Sequence, residues 1–137
     1  MKIKNGELAM LLDGLKMVKS KINPQANYNI TKNKLALSRE LDEYNKDILE
    51  IQKRHFVCDE NGELVITNGN QLTYLEEDRE EHIKQYRKEI EEYNSVMADV
   101  KILTITMDDI LNSVETLNQD EMDGIVFMVV EDEDTEK

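Results

Sequence analysis

Leu37-Ser38-Arg39-Glu40-Leu41-Asp42-Glu43-Tyr44-Asn45-Lys46-Asp47-Ile48-Leu49-Glu50-Ile51-Gln52-Lys53-Arg54-His55 places Leu37, Leu41, Tyr44, Ile48, Ile51 and His55 at alternating steps of four and three. That alternation is a heptad seam, one apolar stripe along a long helix. Arg39, Glu40, Asp42, Glu43, Lys46, Asp47 and Glu50 fall between, opposite charges three or four residues apart that suit a solvated face. Asn23-Pro24 sets the start, because proline lacks the N–H that a helix interior needs and fits the first turn. The pattern predicts one helix from about Gln25 to Phe56. A second seam, Ile83, Tyr86, Ile90, Tyr93 and Met97, predicts another from about Glu76 to Ala98. Two matching seams imply a long antiparallel helical hairpin, with pairing inside one chain or between chains both open.

The connection carries turn chemistry. Asp59-Glu60-Asn61-Gly62 is a turn cluster, and Asn68-Gly69 between Glu63–Thr67 and Gln71–Tyr74 supplies the positive φ angles of a β-hairpin over about 63–74. Upstream, Leu8, Leu11, Leu12, Leu15 and Val18 mark one face of a helix from about Gly6 to Ser20. Downstream, β-branched Val100–Thr106 predicts a strand, with Thr106 capping a helical turn ahead of Asp108 and Asp109. A short helix over about Asn118 to Val130 follows, with Asp120, Glu121 and Asp123 early. A strand over Ile125–Val130 is the alternative, since Ile-Val-Phe-Met-Val-Val has high β-propensity. The fold class is α+β, mainly α, in a single domain over 1–130 with an acidic tail at 131–137.

A chain of 137 residues is long enough for one core. With 5% aromatic residues and no Trp, that core is aliphatic. The longest apolar run, six residues, falls far below the roughly 20 that span a bilayer, so no membrane role is expected. The start of the chain does not read as a secretory signal, because Asp13 and Lys16 break its apolar stretch. A lone Cys58 excludes an internal disulfide, and the expected location is the reducing cytoplasm of a host cell. The formal charge of −13 is uneven. Residues 1–57 hold 11 basic and 7 acidic residues, a net +4, while 58–137 hold 6 and 23, a net −17. Such a chain repels phosphate backbones, so direct nucleic-acid binding is not expected unless the basic N-terminal part presents a separate patch.

Residues able to carry chemistry are sparse. His55, Cys58 and His82, with Asp59 as a fourth ligand, fall short of a structural zinc site, which wants cysteine pairs. Cys58 follows a helix C-terminus, whose partial negative charge disfavours a thiolate nucleophile. The glycines at 6, 14, 62, 69 and 124 are too scattered for a phosphate-binding loop. The expectation is no enzyme activity, no catalytic residue, no cofactor and no metal. What remains is acidic surface: Glu76, Glu77, Glu80, Glu81, Glu91 and Glu92 are the candidate partner-binding residues, through electrostatic complementarity to a basic groove.

Met1-Lys2-Ile3-Lys4-Asn5-Gly6-Glu7-Leu8, Asp59-Glu60-Asn61-Gly62-Glu63 and Gln119-Asp120-Glu121-Met122-Asp123-Gly124-Ile125-Val126-Phe127-Met128 together resemble a family of small phage and prophage proteins from Gram-positive bacteria. The likeness is one of layout over most of the chain and carries no catalytic residue across. It implies an N-terminal helix, a long charged helix, an Asp-Glu-x-Gly turn and an apolar C-terminal helix. The expected function is that of a non-catalytic phage accessory protein that binds another protein, host or viral, with homo-oligomers open to it. The alternative is an acidic inhibitor of a host antiviral defence protein, such as an anti-CRISPR, that occludes a nucleic-acid groove.

Overall fold

A computed structural model describes residues 1–131. The elements run β1 (Lys2–Lys4), a 3-10 turn (Asn5–Glu7), α1 (Leu8–Lys16), α2 (Pro24–His55), α3 (Arg79–Ser95), β2 (Met97–Asp99), β3 (Ile105–Thr106), α4 (Met107–Leu111), α5 (Gln119–Ile125), a 3-10 turn (Val126–Met128) and β4 (Val129–Val130). The fold is α+β and mainly α, dominated by the long α2. Two compact units divide the chain: Met1–Leu41 with everything from Met97 onward, and Asp42–Val96. The helix α2 supplies residues to both.

In the first unit, Leu8, Leu12 and Leu15 of α1 are buried at steps of four and three, as an amphipathic helix requires. With Ile22, Leu37, Ile125 and Met128 they make an aliphatic core. Asn23 starts α2, its side-chain oxygen accepting from the Ala26 N–H at 2.8 Å. β1 pairs antiparallel with β2, Ile3 opposite Ala98 and buried. The antiparallel sheet is therefore built from the chain start and the residues just past α3, not from the expected hairpin, and Met97 and Ala98, expected to close the second long helix, are strand residues instead.

Val100–Thr106 does not form one strand. Buried Asn33 on α2 takes both backbone groups of Leu103, its Nδ2 donating to the carbonyl and its Oδ1 accepting from the N–H, each at 2.8 Å. A backbone so occupied has nothing left for a ladder there. Only Ile105 and Thr106 pair, parallel to Val129 and Val130. The expected C-terminal helix accordingly stops early: α5 ends at Ile125, a 3-10 turn follows, and the β-branched pair Val129–Val130 peels off as β4. Helix and strand readings of this segment each hold for part of it. Thr106 caps α4 and Asn118 caps α5, each in a reciprocal capping box with the residue three positions on, Asp109 and Glu121.

In the second unit, the C-terminal half of α2 pairs antiparallel with α3. Tyr44 meets Asn94 (2.6 Å between Oη and Oδ1) and stacks on Tyr93, while Gln52 and His55 meet Tyr86 and His82 further along. As the residue number climbs on one helix it falls on the other. α3 begins at Arg79, three residues later than the acids suggested, with Asp78 in a left-handed conformation before it (φ 57°). Among the described residues, 63–74 holds no strand. Thr67 and Gln71 exchange backbone hydrogen bonds at 2.8 and 2.9 Å around Asn68, Gly69 and Asn70, all at positive φ, while single bridges tie Phe56 to Tyr74 and Cys58 to Leu64. The pairing is thus split between the hairpin tip and the chain just after α2.

Candidate functional site

The six acids singled out from the sequence all lie in the second unit and all are exposed. Glu76 and Glu77 sit in the turn before α3, outside the helix that was expected to carry them. Glu80 and Glu81 occupy its first turn, where the macrodipole favours negative charge, and Glu81 accepts from the Gln85 side chain at 3.0 Å. Glu91 and Glu92 follow eleven residues later, about 16 Å along the axis at about 1.5 Å per residue. Lys84, Arg87 and Lys88 lie between these pairs, so α3 presents alternating charge and not one acidic field. Among the described residues none of the six acids is ion-paired.

What the structure brings together is narrower. Ile51 and Arg54 of α2 face Glu89, Glu92 and Tyr93 of α3 and Val96 just beyond it, around a shallow groove of about 270 Å³. Of the six acids, Glu92 alone lines it. Val96 is 51% exposed, and no residue of α3 is fully buried, so the seam Ile83, Tyr86, Ile90 and Tyr93 stays partly open to water. Phe56 and Tyr74 of the connection pack on Tyr86, with ring centres 4.9 and 6.1 Å away, while toward Tyr93 the two helices have one contact face.

Polar pairs fix the geometry of this groove. The Tyr93 hydroxyl donates a short hydrogen bond to the Asp47 carboxylate. Burial first, then that hydrogen bond and the Asp47 charge, push the Tyr93 pKa up to about 12, so it stays a donor at any physiological pH. Glu89 accepts from His55 Nε2 at 2.8 Å and takes Arg54 at 3.5 Å. On its other side His55 Nδ1 lies 2.9 Å from His82 Nδ1, within hydrogen-bond reach, the tautomers deciding which of the two donates.

His55 and His82 therefore do meet, as the sequence suggested, but Cys58 does not join them. Its thiol points at the backbone carbonyls of Lys53 and Phe56, 3.8 and 3.7 Å away. Among the described residues no three or more His, Cys, Asp or Glu are arranged to hold a metal ion. No helix is long and apolar enough to cross a membrane, again among the described residues.

Comparison with protein-family models, with curated proteins and with solved structures gives no match. The groove residues missed from the sequence are Ile51, Glu89, Tyr93 and Val96 in their shared setting. The seam spacing pointed to Ile51 and Tyr93 as core; Ile51 is indeed buried, while Tyr93 stays partly accessible.

Proposed function

We propose that this protein performs no chemistry of its own and acts by binding another protein through the α2–α3 pair, in keeping with a phage accessory role. The observation that carries the reading is that no residue of α3 is fully buried, leaving an apolar seam partly exposed beside free carboxylates. Covering such a seam removes apolar surface from water at roughly 25 cal/mol per Å², while flanking charges select the partner. Val96 and the partly exposed Tyr93, backed by the buried Ile51, supply the apolar contact; Glu92, with Glu91 beside it, supplies the charge. The partner is host or viral, and a second copy of this chain would meet the same description.

The inhibitor alternative asks for a continuous run of carboxylates to fill a nucleic-acid groove. Lys84, Arg87 and Lys88 interrupt that run on α3, which favours the mixed apolar and charged interface. The two readings part in one experiment. Tagged wild-type protein, the variant Val96→Asp and the combined Glu76→Gln, Glu77→Gln, Glu80→Gln, Glu81→Gln variant are used to capture partners from host and infected lysates at low and high salt. The seam reading expects Val96→Asp to lose a salt-resistant partner that the amide variant retains. Loss in the amide variant alone, with salt-sensitive capture by wild type, would establish the inhibitor reading instead. Equal capture by all three would remove both.

A further inference from the structure

In a chain of net charge −13, the first unit holds a groove with no acid in its lining. Lys32, Leu35, Ala36 and Arg39 form one wall, at helical spacing along about two turns of α2, and Lys101 and Leu103 form the other, around a cavity of about 240 Å³. Lys32, Arg39 and Lys101 are exposed, and among the described residues none of them makes an ion pair. Lys32 instead stands over the Tyr28 ring, 5.9 Å from its centre. Leu35, half exposed, gives the groove an apolar floor with Ala36 and Leu103.

The second wall is built, not merely nearby. Asn33, wholly buried, grips Leu103 by both backbone groups, Asn29 donates to the Thr104 carbonyl at 3.1 Å, and the Val100 N–H donates to the Met1 carbonyl at 2.8 Å. The backbone that carries Lys101 is thereby held across the groove from Lys32 and Arg39. Three cations lining one groove without a counter-charge suit a ligand that carries it.

We propose that this groove is a docking site for an acidic segment of a partner protein, with an aliphatic side chain seated on Leu35, Ala36 and Leu103 and flanking carboxylates on Lys32, Arg39 and Lys101. Charge complementarity sets the sign of the ligand, and the apolar floor selects a peptide over a phosphate backbone. A nucleic-acid strand would want aromatic platforms for its bases, and this lining has none. The site is separate from the α2–α3 seam and stands or falls independently of it.

Fluorescence anisotropy tests it with three labelled probes: the peptide Asp-Glu-Leu-Asp-Glu-Asp, the same peptide with Ser for Leu, and a dT12 oligonucleotide, each titrated with the full chain. The expected result is saturable binding of the Leu peptide, weaker by at least about tenfold for the Ser peptide. Lys32→Glu with Arg39→Glu, and separately Lys101→Glu, are expected to abolish binding, while Lys16→Glu on α1, the same charge change elsewhere, leaves it intact. Circular dichroism checks that each variant is folded, and Lys101→Gln supplies a milder change at the same position. No binding of the Leu peptide, binding unaffected by the groove variants, or preference for dT12 would each overturn the proposal. So would peptide binding that appears only after residues 131–137 are removed, since the chain's own acidic close would then be the occupant.

Discussion

A single carboxylate, Glu121, ties the α1–α2 connection to α5. It is 3% exposed and accepts from the backbone N–H of Lys19 and Ser20 and from the Ser20 hydroxyl, at 2.7 to 2.9 Å, while also closing the Asn118 capping box. The Asn118 and Ser20 backbone N–H groups, outweighing desolvation, lower its pKa from 4.5 to about 2. Because the folded pKa lies below the ordinary one, its contribution to stability is whole above about pH 4.5 and is lost as pH falls toward 2. Glu121→Gln is expected to lower the melting temperature at pH 7 and to flatten the loss of stability between pH 4.5 and 2, as read by thermal melts across that range. A second residue-scale constraint is the crossing of α1 and α5 at Gly14 and Gly124, where a β-carbon on Gly124 would overlap the Gly14 carbonyl. Gly124→Ala should cost about 1–3 kcal/mol through forced separation of the helices, measured by urea denaturation. The mirror change at Gly14, whose added carbon would stand 3.0 Å from the Gly124 α-carbon, should cost less.

At the scale of elements, caps and side-chain to backbone bonds decide where each one ends. Thr106 accepts from the Asp109 N–H at 3.1 Å and Asp109 returns the bond to the Thr106 N–H at 3.0 Å, at the point where β3 becomes α4. Thr106→Ala removes half of that box and should destabilise by about 0.5–2 kcal/mol, with Thr106→Ser restoring most of it in the same denaturation assay. The turn ahead of Glu63 is built the same way: Asp59 Oδ1 accepts from the N–H of Asn61 and Glu63, and Gly62 takes φ 81°. These signals are legible in sequence because donor and acceptor lie within four residues of each other. The Asn33 grip on Leu103 is not, because seventy residues separate the partners and a mid-helix Asn reads as a solvated polar position. That one side chain turned an expected seven-residue strand into an extended wall with a two-residue strand at its end.

Over the whole molecule, burial is uneven. Leu8, Leu15, Ile22, Leu37, Ile125 and Met128 are fully buried in the first unit, whereas no residue of α3 in the second is. Local opening follows burial, so amides of Arg79–Ser95 should exchange with deuterium at least about tenfold faster than those of α2 between Ile30 and Leu37, read by mass spectrometry of peptides. Binding at the seam would slow the α3 amides selectively. Legible in the residues alone were the long helices, the antiparallel sense of their pairing, the aliphatic face of α1, the cap at Thr106 and the turns at Gly62 and Gly69. All rest on periodicity or on contacts a few residues apart, which a linear reading captures. Tertiary structure alone decided the β1–β2 sheet, the Gly14–Gly124 crossing, the meeting of Lys32 and Arg39 with Lys101 and the exposure of the α3 seam. Each of these depends on which distant segments share a face and on how many layers cover it, and residue spacing along the chain carries neither.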